Sequence, residues 1–88
     1  MPTTLQLLDK ALLIQRASHL ARELNVHPSA LTNAKKRGRL SPTLAGSIAH
    51  QLGQDERDWI AIASLEAEPE SPLRDTLMKR LSAKVQKL

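Results

Sequence analysis

Between Ala17 and Arg39 the chain reads ASHLARELNVHPSALTNAKKRGR, and this stretch holds the residues best suited to a chemical task. The small polar side chains Ser29, Thr32 and Asn33 run into Lys35, Lys36, Arg37 and Arg39. Hydrogen-bonding side chains followed by a cluster of positive charge suit contact with a polyanion. Catalysis has far less to work with. There is no cysteine, which removes disulfides, thiol nucleophiles and Cys-based zinc sites. His19, His27 and His50 lie too far apart for a local metal motif, so neither a metal nor another cofactor is expected. Ser18 and His19 are sequence neighbours, and adjacent residues on a helix do not face one another. Asp9, Asp55 and Asp58 belong to no Gly-rich phosphate loop and form no paired-carboxylate motif. The expectation is a binding protein, not an enzyme.

The elements that must carry these residues are helices. Leu20, Ala21 and Leu24 fall on one helical face, and Leu31 and Ala34 continue the apolar stripe in a second helix. The small Ala21 lets the two helices approach closely. Asn25 sits where the chain must turn, and Asn tolerates the left-handed conformation better than most residues. Pro28 suits a first helical position, which leaves His27 as an uncommon N-cap. The two helices are expected over 17–24 and 28–37, with Gly38 as the stop. This is the layout of a helix-turn-helix, whose second helix enters the DNA major groove. The competing reading is an ordinary helical hairpin with a solvated basic end that suits the helix dipole.

Strand patterns are nearly absent, with two valines and no Tyr or Phe, so the class is all-α. A first helix is expected from Thr3 to Gln15, capped by Thr3 or Thr4, with Leu5, Leu8, Leu12 and Leu13 as its apolar set. Ser41-Pro42 starts a fourth helix that buries Leu44, Ala45, Ile48, Ala49 and Leu52 and closes at Gly53. Asp55 caps a fifth, with Trp59, Ile60, Ile62, Ala63 and Leu65 on its apolar face. Its first turn holds Glu56 and Asp58 near the positive end of the dipole. Glu66 to Pro72 is an acidic, proline-bearing break. It divides the chain into a domain over 1–66, a linker over 67–72 and a helix over 73–88. In that last helix Leu73, Leu77, Leu81, Val85 and Leu88 recur at intervals of four, four, four and three. Two arrangements fit: the helix folds back on its own domain, or it pairs with the same helix of another subunit. Dimerisation is the expectation, with disorder or direct DNA contact by the basic face as the rest. His19 is expected on the surface and His50 at the border of the core.

The chain has 88 residues, which suits one small domain whose core is marginal without a partner subunit. The sequence pI is about 10.0, and the charge is segregated. Residues 1–40 hold seven Lys and Arg against two Asp and Glu, residues 41–70 one against six, and residues 71–88 five against one. Such segregation implies one face for a polyanion and another for solvent or a partner. The N-terminus lacks a basic stretch before an apolar one, and no apolar run approaches a membrane span, so a cytoplasmic protein without membrane contact is expected. The single aromatic residue, Trp59, argues against base-stacking platforms and ligand cages.

Residues 5–65 resemble the Cro/cI-type helix-turn-helix family of phage and bacterial repressors, most clearly along ELNVHPSALTNAKKRGRLSP. The short length and leucine-bearing basic tail also resemble small cytoplasmic repressors of filamentous bacteriophages. Two departures are visible: Asn25 replaces the usual turn glycine, and Arg16, Ala17 and Ser18 stand where a Gln is common. The resemblance implies a compact five-helix domain followed by a C-terminal amphipathic helix. It also implies a homodimer on a double-stranded DNA operator; no small-molecule ligand is inferred. On this resemblance Ser29, Ala30, Thr32, Asn33 and Lys36 would face base edges. Asn33 would pair with adenine and a lysine with guanine, while Ala30 or the Thr32 methyl would touch a thymine methyl. Arg16, Ser18, His27, Lys35, Arg37 and Arg39 would contact phosphates, which orient without reading sequence. The alternative from another class is an antitoxin or protein-interaction adaptor acting through residues 66–88.

Overall fold

In the computed structural model, which describes residues 3–85, every regular element is an α-helix. There are six among the described residues: α1 (Thr4–Ile14), α2 (Ala17–Leu24), α3 (Pro28–Arg37), α4 (Pro42–Gln51), α5 (Glu56–Glu66) and α6 (Pro72–Lys84). Local chemistry sets their ends. Thr3 opens α1 with a capping box: its side chain accepts from Gln6 N–H at 3.2 Å, and Gln6 Oε1 accepts from Thr3 N–H at 3.0 Å. Ser41, Asp55 and Ser71 cap α4, α5 and α6, and Pro stands in the first turn of α3, α4 and α6.

Three helices stop in the same way. Asn25 (φ 58°), Gly38 (φ 84°) and Gly53 (φ 73°) take the left-handed conformation after α2, α3 and α4. In each case the next amide reaches back to close the turn: Val26 to Ala21 O at 3.0 Å, Arg39 to Ala34 O at 3.2 Å, and Gln54 to Ala49 O at 2.8 Å. These bonds satisfy carbonyls that a helix end otherwise leaves unpaired.

One core joins all six helices: Leu7, Leu8 and Ala11, Leu20 and Ala21, Leu31 and Ala34, Leu40 of the α3–α4 loop, Ala45, Ile48 and Ala49, Trp59, Ile62 and Ala63, and Met78. The radius of gyration, 12.5 Å, is close to the roughly 12 Å expected of a compact chain this long. α4 and α5 make the most extensive helix pair, and the buried Gly46 of α4 lies directly against α5. A Cβ there would lie 2.7 Å from Ile60 Cγ1. No helix among the described residues is long and apolar enough to cross a membrane.

Four expectations about burial need correction. In α1 the core side is Thr4, Leu7, Leu8 and Ala11. Leu5 and Leu12 are half-buried, and Leu13 is 82 % exposed. Ile60 of α5 lies at the surface beside Gly46, while Leu65 is half-buried. His50 is exposed and pairs with Glu56 at 3.0 Å, because it follows the buried Ala49 onto the outer side of α4. The leucine stripe of α6 does not stay on one side. On a helix of 3.6 residues per turn, steps of four rotate by about 40° each. Leu73 and Leu77 therefore face solvent, while Leu81 and Val85 have turned onto the core beside Met78. α6 folds back along α5 through Met78, a residue outside that stripe. Leu88 lies outside the described residues.

Candidate nucleic-acid interface

Leu31 and Ala34 bury one side of α3. Counting by 3.6 residues per turn, Ser29, Thr32, Asn33 and Lys36 cluster on the opposite side, and all four are exposed. Ala30 is half-buried on the margin of that surface, so of the five expected base-facing residues it is the one turned toward the core. The outward cluster carries donors and acceptors on short side chains plus one long cation. Lys35 and Arg37, both exposed, flank it on either side.

The N-terminal end of α3 is built by His27. Its Nδ1 accepts from Ser29 N–H at 3.1 Å and also lies 2.9 Å from Ser29 Oγ. A backbone N–H can only donate, so Nδ1 is the acceptor and Nε2 carries the ring proton in the neutral imidazole. His27 is exposed, and its Nε2–H is thus directed away from the cap as a donor. Ser29 Oγ, tied back to the same ring nitrogen, retains its lone pairs for an outside donor. Arg16 occupies the N-cap position of α2 without making a side-chain cap, and it and Ser18 are exposed. The helices that carry these groups, α2 and α3, pack on each other and bury Leu20, Ala21, Leu31 and Ala34 in the common core.

At the other end of α3 the chain turns through Gly38 and delivers Arg39 next to the buried Leu40. Arg37 and Arg39 border a shallow cleft of about 210 Å³ shared with Leu40, Ser41, Pro42, Ala63 and Ala67. A network that the sequence did not announce pins this loop. Leu40 N–H donates to Thr4 Oγ1 at 2.9 Å, Thr4 Oγ1 donates to the Glu66 carboxylate, and Thr4 N–H donates to Glu66 Oε2 at 3.0 Å. Thr4 is fully buried, and the Glu66 carboxylate sits at the N-terminal end of α1, where the helix dipole favours negative charge. The only local hint was the Thr-Thr-Leu-Gln opening, which marks a capped helix but not a partner 62 residues away.

The remaining titratable pairs lie elsewhere. His19 pairs with Glu23 one turn on, and Arg57 lies 3.8 Å from Asp55. No three His, Cys, Asp or Glu side chains among the described residues could hold a metal ion together. The surface presented by α3 is suited to hydrogen bonding and charge neutralisation, and the Ser29–His27 contact on it serves the N-cap of the helix. Comparison with protein families, with curated proteins and with solved structures found no match to this chain.

Proposed function

We propose that this chain is a sequence-specific double-stranded DNA-binding regulator of the Cro/cI helix-turn-helix type, acting as a homodimeric cytoplasmic repressor of the phage kind. In this reading α1 to α5 form the DNA-binding domain and α2–turn–α3 is its helix-turn-helix. α3 enters the major groove. Asn33 and Lys36 read base edges there, with Ser29 and Thr32 beside them. Arg16, Ser18, His27, Lys35, Arg37 and Arg39 hold the phosphates. The observation that carries the reading is the outer side of α3: four exposed polar side chains opposite Leu31 and Ala34, with cations on both flanks and a closed turn at each end. A helix fixed at both ends presents its side chains in one geometry, which recognition of base edges requires. Repression would follow from occluding a promoter.

The test is fluorescence anisotropy on DNA selected from a random pool, followed by a salt series. The expected result is a palindromic motif, with half-sites spaced by about 34–36 Å or a multiple of that, and affinity that falls steeply with salt. Asn33→Ala should relax sequence preference, by about 1–3 kcal/mol at one base pair. Lys35→Ala should weaken cognate and scrambled DNA alike. Equal losses on both DNAs for both variants would overturn this division of labour. Weak, sequence-indifferent binding by the unmodified chain would overturn the reading itself.

A further inference from the structure

The side of α6 left open to solvent is patterned. Leu73, Leu77, Arg80 and Lys84 follow at steps of four, three and four, which places them along one flank. Leu73 is 77 % exposed and Leu77 42 %, while the neighbouring side of the helix is committed to the core through Met78, Leu81 and Val85. Charge is ordered along the same axis. Glu68 and Glu70 stand just before α6 and Asp75 in its first turn, beside the half-buried Arg74; Lys79, Arg80 and Lys84 occupy its second half. All but Arg74 are exposed, and no ion pair among the described residues uses any of them.

We infer that this flank of α6 docks on the same flank of a second copy, in antiparallel register. A parallel pair would set Lys79, Arg80 and Lys84 against their own counterparts, and like charges set against each other disfavour it. The antiparallel pair does the reverse. With Leu73 of one copy on Leu77 of the second, Arg80 reaches past the start of the second copy's helix, where the extended approach carries Glu70 just ahead of the N-cap Ser71, and the two-fold axis repeats both contacts. The leucines supply the attraction and the charges fix direction and register. Leu13 and Ile14, at the far end of α1, are as exposed as Leu73 but have no such ordering of charge beside them, so they give no reason to choose a second copy as their partner. Stable interfaces bury on the order of 1,200 Å² or more, beyond what two leucines a side can cover. Association in free solution is therefore weak, with Kd on the order of 10 µM to 1 mM. Adjacent DNA half-sites would raise the effective concentration of the two copies. That last step rests on the DNA-binding reading; the pairing itself does not.

Sedimentation equilibrium of the full chain without DNA, up to about 1 mM protein, tests the pairing. A reversible monomer–dimer equilibrium is expected. Leu73→Asp with Leu77→Asp should weaken it at least about a hundredfold, with the helical circular dichroism unchanged because both side chains are exposed. Leu13→Asp should leave it intact. Arg80→Glu should weaken it about tenfold, and adding Glu70→Arg should restore it; this pair decides the matter even if the leucine variant fails to fold. A chain that stays monomeric throughout overturns the inference. So does a folded leucine variant that still dimerises, or a charge exchange that fails to restore. Lost dimerisation with half-site DNA binding retained would leave the DNA reading standing. Dimers that ignore DNA would sink that reading alone.

Discussion

Thr4 has no exposed surface, and its hydroxyl joins the start of α1, the end of α5 and the loop that carries Arg39. A buried amide left without its acceptor costs about 1–3 kcal/mol. Thr4→Val keeps the shape and removes the hydroxyl, so Leu40 N–H and the Glu66 carboxylate both lose a partner. The expected loss is about 1–3 kcal/mol, or a fall in Tm of roughly 4–8 °C per kcal/mol in a domain of this size. Thr4→Ser, which keeps the hydroxyl, should lose clearly less. Trp59, the chain's one aromatic residue, is fully buried, so its fluorescence can follow unfolding of both variants. Equal destabilisation by Val and Ser would mean that the methyl, not the hydrogen bonds, matters at this position. The contrast with Asn25, His27 and Gly38 shows which residues a sequence can reveal. Their roles depend on atoms within a few residues, through a left-handed φ or a cap bond, and each was legible from residue type and offset. Thr4 and Glu66 meet only after α1 and α5 have packed.

Helix boundaries were legible at the level of elements because caps, Pro and Gly act locally. The bounds of α2 and α3 match the sequence reading residue for residue. The buried side of a helix is less local, since it depends on what the helix lies against. α1 turns Leu7 inward and Leu13 outward because Thr4 is anchored to Glu66 and Leu40, which fixes the rotation of the helix. α6 lies along α5, and its anchor is Met78, 6 % exposed and unbranched enough to fill an uneven gap. An isolated helix as short as α6 is marginal in water, so its order depends on this seat. Met78→Ala should cost about 2 kcal/mol, near the lower end for buried Met. Amide exchange in α6 should accelerate well before exchange in α4 or α5 does. Uniform acceleration across the chain would mean that α6 unfolds only together with the rest. Truncation before Pro72 would likewise bare the α5 surface that Met78, Leu81 and Val85 cover. A truncated chain therefore loses stability as well as any contact made by the outer flank.

At the scale of the whole molecule α4 holds one acidic group away from the basic end of α3, whereas Glu66 is tied to Thr4 beside the loop that carries Arg39. Arg37 and Arg39 precede the N-terminus of α4, while Asp55, Glu56 and Asp58 follow its C-terminus. Ten residues of helix separate the groups by about 15 Å, roughly twice the Debye length of about 8 Å at physiological salt. Asp55, Glu56 and Asp58 therefore do little to cancel the field at the basic end of α3. The consequence is measurable in the salt dependence of DNA binding. Each phosphate contact contributes about −0.9 to the slope of log K against log salt. Arg16, Lys35, Arg37 and Arg39 together would give about −4 per copy. Removing Arg37 or Arg39 by alanine should shallow the slope by about one unit each. The combined variant Asp55→Asn, Glu56→Gln and Asp58→Asn should leave the slope unchanged near 0.15 M salt, since Asn keeps the cap of α5 and the carboxylates lie beyond screening range. A slope that steepens on removing those carboxylates would place the DNA across both ends of α4. That geometry is incompatible with α3 alone lying in the groove.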